Sequence, residues 1–265
     1  MTEREIWDIA MAQSAVDLGC SPLDFEKAEN VIVISRKEER ARKYLTLPFD
    51  CNLVSYGNNV VASVREDLTE TVEKYLSRFR TEHCFETPNM HVLNDELQKQ
   101  GMRICFMAEY FLPKPELVKE RSCQFPLRVL GPEEFADLYR PEWGNALCKD
   151  RKHLDMLGAG AYDNGRLVAL AGASADCEGM WQIGVDVLPD YRRQGLACAL
   201  TSRLALEILE RGKVPFYCAA WCNVKSVRNA VKSGFRPAWV EMTAKSREFV
   251  DEMNGGASAV RKDGS

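Results

Sequence analysis

Just beyond Pro189 the chain reads Arg192-Arg193-Gln194-Gly195-Leu196-Ala197 and then runs into an apolar stretch with helical spacing. Two guanidiniums and two small residues at the mouth of a helix are groups suited to holding phosphate. A helix start leaves about four N–H groups without intrahelical partners, and the peptide dipoles place roughly half a positive charge there. Oxyanions bind such an end when the preceding loop lets them approach. Gly195 has no Cβ and Ala197 has the smallest, so the backbone over 193–198 can close on a diphosphate, with Arg192 and Arg193 adding charge-assisted hydrogen bonds. A tight solvated turn would use the same residue types. The spacing is not that of a P-loop, because no Gly-x4-Gly-Lys-Ser/Thr occurs. Nor is it a dinucleotide fingerprint, since GxGxxG is missing and the strands before it form a meander.

The elements that must position this turn can be read around it. "MWQIGVDVL" (180–188) is a strand that Pro189 stops, and Leu196, Leu200, Leu204 and Ile208 recur every four residues as a buried helical stripe. Gly212 ends that helix, "VPFYCAAW" (214–221) is the next strand, and Asn223 caps a short helix that closes at Gly234. "FRPAWVEMTA" (235–244) is a last strand. Upstream, "FPLRVL" (125–130) reads as a strand and 132–139 as a helix opened by its proline. Asp163-Asn164-Gly165 between apolar runs marks a hairpin.

The first part of the chain offers a helix over 3–18 ended by Gly19, a strand at 30–35 and a hairpin over 51–64 turning at Gly57-Asn58-Asn59. Helical spacing follows at 66–80 and 94–100, then a strand at 103–112. The charged, proline-punctuated stretch 113–123 is the best linker. This organisation predicts an α/β chain with a mixed sheet, an N-terminal α/β domain over 1–115, a second domain over 124–246 and a disordered tail over 255–265.

Composition narrows the function classes. Thirty-five basic against 39 acidic side chains give a net charge of -4, and no basic stripe with interleaved aromatics appears, so nucleic acid is not the expected partner. No stretch approaches the roughly 18 apolar residues of a membrane span. "MTEREIWDIAMAQ" has acids near its start and lacks the apolar centre of a signal peptide. Ten cysteines without a CxxC, the nearest pair being Cys218 and Cys222, read as reduced thiols in a cytoplasmic protein. His83, His91 and His153 are scattered, so no metal site is expected.

The run "IGVDVLPDYRRQGLACAL", the following strand, Asn223-Val-Lys-Ser226 and Lys232-Ser-Gly234-Phe235 together resemble the GNAT superfamily of acyl-CoA-dependent N-acyltransferases. That family's signature is Gln or Arg, two residues, Gly, one residue, then Gly or Ala, met here by Arg192, Gly195 and Ala197. The resemblance covers about 125–245, and the whole chain looks like a bacterial subgroup with an N-terminal extension. It implies a V-shaped opening between strands 180–188 and 214–221, with acetyl-CoA as cofactor. The pantetheine arm would pair with the main chain of Ile183, Val185 and Val187, and the diphosphate would rest on Arg192, Arg193, Gln194, Gly195, Leu196 and Ala197. Asn223 and Ser226 would meet the cofactor from the other side, although Asn223 is equally a plain helix cap.

An amine attacks the thioester directly in this family, which calls for a base, an oxyanion donor and an acid for the leaving thiolate. Backbone N–H groups near Val185 are candidates for the oxyanion. This sequence departs from the familiar pattern elsewhere. Trp181 stands where some members carry a catalytic glutamate, and Ala230 where many carry an acidic tyrosine. Asp176 and Glu178 beside the hairpin remain as bases, with Asp176 preferred, and Tyr217 remains as the acid. Asp186 reads as a structural hydrogen-bonding group. Trp181 and Trp221 form either an aromatic wall for the acceptor or part of the core.

The first 115 residues carry no motif of their own; they suit a degenerate acyltransferase-like half. Two functions stay open: a cytoplasmic N-acetyltransferase acting on a small-molecule amine, and a non-catalytic acyl-CoA-binding or sensing protein. Nothing in the sequence names the amine or the oligomeric state.

Overall fold

The computed structural model describes residues 1–260. In chain order the elements are α1 (Glu3–Leu18), β1 (Val31–Ile34), β2 (Cys51–Ser55), β3 (Val61–Val64), α2 (Thr69–Arg78), α3 (Thr87–Gln98), β4 (Met102–Pro113) and β5 (Leu127–Leu130). They continue as β6 (Asp155–Asp163), β7 (Arg166–Ser174), β8 (Met180–Val187), α4 (Leu196–Glu210), β9 (Val214–Ala220), α5 (Val224–Lys232), β10 (Phe235–Ser246) and α6 (Arg247–Val260). The fold class is α/β with mixed sheets, as expected.

The chain divides into two compact units, and the divisions fall elsewhere than the expected 1–115 and 124–246 boundaries. The first unit comprises Met1–Gln13, Arg40–Tyr44 and Glu109–Ala238; the second comprises Ser14–Glu39, Leu45–Ala108 and the chain from Trp239 on. The charged linker holds no dividing point: three of the five lie inside α1, β4 and β10, and the other two flank Arg40–Tyr44 between β1 and β2.

In the first unit, β5, β6, β7 and β8 form an antiparallel meander, and β9 joins β8 in parallel. The β6–β7 turn has positive φ at Asn164 and Gly165, the geometry that an Asn-Gly hairpin supplies. α4 lies on one face through Leu196, Leu200, Leu204 and Ile208, all buried against Val168, Ala169, Ala171 and Ile183. The expected helix over 132–139 is instead a pair of single 3-10 turns, Pro132–Glu134 and Ala136–Leu138. Pro141 explains the stop, since the residue before a proline is driven out of the helical region; Arg140 is extended at φ -122 and ψ 158.

In the second unit β1 runs parallel to β3, β3 is antiparallel to β2, and β2 is antiparallel to β10. Every residue of β2 and β3 is buried, the polar Asn52, Ser55 and Ser63 included. Their buried polar groups are partnered: the Ser63 hydroxyl donates to the Leu18 carbonyl at 2.8 Å and the Thr243 hydroxyl to Asn52 Oδ1 at 2.5 Å. α3 begins earlier than the expected 94–100, at Thr87 with a proline in its first turn. Of the tail expected to be disordered from Gly255, residues 255–260 belong to α6, and 261–265 lie outside the described residues. The signal for α6 is Ser246, whose hydroxyl accepts from the Phe249 amide at 3.2 Å as a cap does.

Candidate functional site

β8 and β9 are paired over Met180–Val214, Trp181–Pro215 and Gln182–Phe216, and there the register ends. β8 continues to Val187 and β9 to Ala220 without one another, while the opposite edge of β8 stays paired with β7 through Val187. One edge of β8, from Ile183 onward, is therefore left without a partner strand. Main-chain N–H and C=O groups on such an edge are a template for an extended ligand.

The two faces of β8 are held differently. Trp181, Ile183, Val185 and Val187 belong to the core under α4. On the other face the loop through Asn145 and Ala146 lies directly on the sheet: a Cβ at Gly184 would sit 1.8 Å from the Asn145 carbonyl oxygen, and one at Gly172 would sit 1.9 Å from that of Ala146. Only glycine permits that approach. Asp186 fixes the loop, its carboxylate accepting from the Asn145 amide at 2.8 Å, from Asn145 Nδ2 at 2.6 Å and from the Ala146 amide at 2.9 Å. This is the structural role expected of Asp186. The loop itself escaped the sequence reading, although glycines inside strands at 172 and 184 were its signal.

Beyond β8 the chain makes a 3-10 turn over Pro189–Tyr191 and enters α4 through Gly195, which has φ 85 and ψ -2. That left-handed conformation favours glycine, and a Cβ there would meet nothing within 4 Å. No side chain caps the helix. The first intrahelical bond runs from the Ala199 amide to the Gly195 carbonyl at 3.0 Å, so the amides of Leu196, Ala197 and Cys198 lie at the open end of the helix. Leu196 can serve a ligand only through its backbone, since its side chain is buried in the core. Arg192, Arg193 and Gln194 are exposed. Arg192 Nε donates to the Val187 carbonyl at 3.1 Å, and the Tyr191 hydroxyl donates to Asp163 at 2.8 Å, so the middle of the turn is tied to β8 and to the end of β6.

Across the opening, three expected site residues come together. The Tyr217 and Ser226 hydroxyls are 2.8 Å apart, and Asn223 Oδ1 accepts from the Ser226 amide at 3.2 Å. Asn223 is thus a helix cap, one of its two expected uses. Trp221, just past β9, is half exposed. Trp181 is only partly buried, and it packs against the core under α4. Gln182 Nε2 lies 3.0 Å from Cys218 Sγ, at the level where β8 and β9 part, a pair that sequence reasoning did not single out.

Asp176 lies apart from the opening, in the connection that leads into the paired start of β8, and it is fully buried. Neither carboxylate oxygen has a hydrogen-bond partner; Arg151 Nε is 3.7 Å away. Burial pushes its carboxyl up to about 6, against the opposing pull of Arg151, Ser174 and Arg42. Asp155, cross-strand neighbour of Ser174, is likewise raised by burial. Among the described residues no cluster of side chains is arranged to hold a metal ion, and no helix is long and apolar enough to cross a membrane.

A family model described as GNAT acetyltransferase matches residues 133–238. Solved structures similar to this chain include a GNAT-family protein from Novosphingobium aromaticivorans, at 21% identity over 54% of this chain and 66% of that one, with TM-score 0.41. A GCN5-related N-acetyltransferase-like protein from Streptococcus suis is 21% identical over 60% of this chain and 69% of that one, with TM-score 0.45. A GCN5-related N-acetyltransferase from Kribbella flavida is 19% identical over 60% and 64%, also with TM-score 0.45. The chain thus spans a little under two thirds of the length of the first of these, at 66%. A search among curated proteins finds no match.

Proposed function

Because residues 133–238 carry a GNAT acetyltransferase domain, whose chemistry is acyl transfer from an acyl-CoA, we propose that this protein moves an acetyl group from acetyl-CoA to the amine of a small molecule. The observation that carries this reading is the parting of β8 from β9 after Gln182 and Phe216, with the unpartnered edge leading to the open helix end at Gly195.

The residues present fit CoA. An uncapped helix start with a glycine at φ 85 and open space where its Cβ would be leaves backbone amides that a diphosphate could approach. The amides of 193–198 would hold it, with Arg193 free to move onto it and Arg192 shaping the turn from Val187. Ile183, Val185 and Val187 would offer main-chain groups to the pantetheine arm, and Asn223 and Ser226 would face it from α5. When bound, acetyl-CoA supplies the acyl group already activated as a thioester.

The chain's own part in the chemistry is positioning, charge stabilisation and proton handling. A β8 amide near Val185 would donate to the carbonyl oxygen as negative charge builds on it. Tyr217, whose hydroxyl is already in a hydrogen bond with Ser226, would donate its proton to the sulfur that leaves. Trp221 would form an exposed aromatic wall for the acceptor, and Trp181 would steady the strand from the core side. Asp176 is sealed from solvent, so its contribution to removing the amine proton would run through intervening groups. Ser174 lies beside Gln182 across the β7–β8 ladder, and Gln182 reaches Cys218 at the parting of the strands.

The sealed carboxylate, together with tryptophan at 181 and alanine at 230, also favours a second reading, a protein that binds acyl-CoA and senses it without turnover. Following free thiol while acetyl-CoA is offered with a panel of alkyl and aryl amines separates the two. Thiol release that depends on one amine class supports the transferase. Tight acetyl-CoA binding with no release on any amine supports the sensor.

A further inference from the structure

We propose that the outer face of α5 is a docking surface for an acidic, amphipathic helix of another polypeptide. This goes beyond the acyl-CoA reading and does not depend on it.

The charge of the chain is unevenly spread. Its net charge is -4, yet from Arg211 to Arg236 it carries six basic side chains and no acidic one. Three of the six, Lys225, Arg228 and Lys232, stand on α5, and all three are exposed. No carboxylate pairs with any of them among the described residues. Neighbouring α4 shows the ordinary arrangement of a solvated helix face, where Glu207 pairs with Arg203 at 2.6 Å and with Arg211 at 2.8 Å. On α5 the cations stand three and four residues apart and repel one another. A partner of opposite charge relieves that repulsion.

The helix cannot turn these groups inward, because its inner face is fixed. Ala230 is buried and Val227 packs on the core under α4. The Ser226 hydroxyl is 2.8 Å from that of Tyr217, and Asn229 Nδ2 donates to the Thr201 hydroxyl at 3.0 Å. A turn of about 3.6 residues then sets the outer face. Val224 and Val231 lie on one line of it, 51% and 40% exposed, with Arg228 between them and Lys225 and Lys232 alongside. The cations recur at i, i+3 and i+7, over about 10 Å of helix axis. Charge complementarity names the partner: carboxylates at the same spacing on a facing helix meet all three, while its apolar side chains cover the valines.

The pattern favours a polypeptide over other polyanions. Single-stranded nucleic acid calls for aromatic rings among the cations, and α5 has none. A bilayer surface calls for bulky apolar side chains that sink below the headgroups, and the exposed apolar groups of α5 are two valines. Side chains of that size suit the flank of a second helix.

Binding of labelled helical peptides to the full chain, read by fluorescence anisotropy, tests the assignment. One peptide carries glutamates at i, i+3 and i+7 beside leucines, a second has the same residues scrambled, and a third has lysines in place of the glutamates. The wild type should bind the first about tenfold more tightly than the second, the worth of three exposed ion pairs, and added salt should narrow the gap. The triple variant Lys225→Gln, Arg228→Gln, Lys232→Gln should abolish the preference. The triple variant Lys225→Glu, Arg228→Glu, Lys232→Glu should transfer it to the lysine peptide, a gain that requires a folded α5. Equal binding of the ordered and scrambled peptides by the wild type overturns the proposal, as does a preference that survives the glutamine variant. Phosphatidylglycerol vesicles, a single-stranded oligonucleotide and acetyl-CoA are titrated alongside. Binding of any of these that the glutamine variant loses, with no preference between the peptides, assigns the stripe to that ligand and overturns the docking of a polypeptide. Self-association of the chain that the glutamine variant loses, again with no peptide preference, assigns it to a second copy and overturns the proposal equally.

Discussion

In the second unit β2 is matched on both edges, by β3 over four residue pairs and by β10 over five. In the first unit β8 keeps β9 for three pairs and then parts from it. The difference lies in what each sheet does with its main chain. Paired on both sides and buried throughout, β2 has its backbone groups committed to its neighbours, so substitutions there are expected to act on stability. β8 holds back one edge, and groups on such an edge must find water or a ligand, because main-chain N–H and C=O groups do not stay unsatisfied in a folded protein. Side chains set the contrast as well. Cys51, Leu53, Ala62 and Val64 of β2 and β3 pack in one apolar cluster, whereas β8 carries Gly184 and Asp186, which hold a loop against one face.

The sharpest way to break this comparison is Gly195→Asp. An L residue at φ 85 is strained, and its carboxylate would stand where the diphosphate is placed. Acetyl-CoA affinity should fall by about a thousandfold, ~4 kcal/mol, since repulsion and blocked approach add. Folding stability should change by only ~1 kcal/mol. Titration calorimetry beside urea denaturation reads both, and binding retained within tenfold would remove the diphosphate from this turn. Leu53→Ala is the counterpart in the closed sheet. Leu53 is fully buried, so its truncation should cost about 3 kcal/mol in stability while leaving acetyl-CoA affinity within twofold. A comparable loss of affinity would mean that the second unit's core also shapes the cofactor site.

How much of this was legible depended on whether the signal was local. Arg192 to Ala197, Asn164-Gly165 and Asn223 each carry their geometry in their own residue types, and the structure puts a left-handed turn, a hairpin and a cap at those places. The opening between β8 and β9 was expected only through the family resemblance, because strand pairing is a non-local matter. The loop at Asn145 and the burial of Asp176 could not be read, since both depend on which distant segments lie over a strand. Asp176 sits in a polar hairpin stretch, "SADCEG", that looks solvated in sequence. Its burial follows from Arg151 and the segment at 42–43, whose Lys43 amide donates to the Asp176 carbonyl at 2.8 Å.

That burial has a measurable consequence. A carboxyl raised to about 6 in the fold holds a proton that the unfolded chain, with its usual value of 3.8, has lost. The stability it confers is therefore complete below about pH 4, declines between pH 4 and 6, and is gone above that window. The amplitude is on the order of 2–3 kcal/mol. Asp176→Asn should flatten most of this slope in urea midpoints measured from pH 4 to 7, leaving the smaller part due to Asp155. The same variant should lower turnover at pH 7 more than it weakens acetyl-CoA binding. An unchanged pH slope would mean that Asp176 is hydrated in solution, and unchanged turnover would take it off the path of the amine proton.

The smallest expected effect belongs to Tyr217→Phe, and it bears directly on whether the opened sheet does chemistry or only binds. The ring is buried beside Phe235, so removing the hydroxyl keeps the packing and deletes one hydrogen bond, the one shared with Ser226. If that hydroxyl protonates the leaving sulfur, turnover should drop about fivefold to tenfold, ~1 kcal/mol, with acetyl-CoA affinity within twofold. The loss should shrink with thioesters whose thiol is a better leaving group, because they need less help from an acid. Ser226→Ala, which removes the partner and leaves the phenol, should cost less than Tyr217→Phe. A reversed ranking, or a loss that ignores the leaving group, would make the pair a strut between β9 and α5 and would favour a domain that holds acyl-CoA without using it.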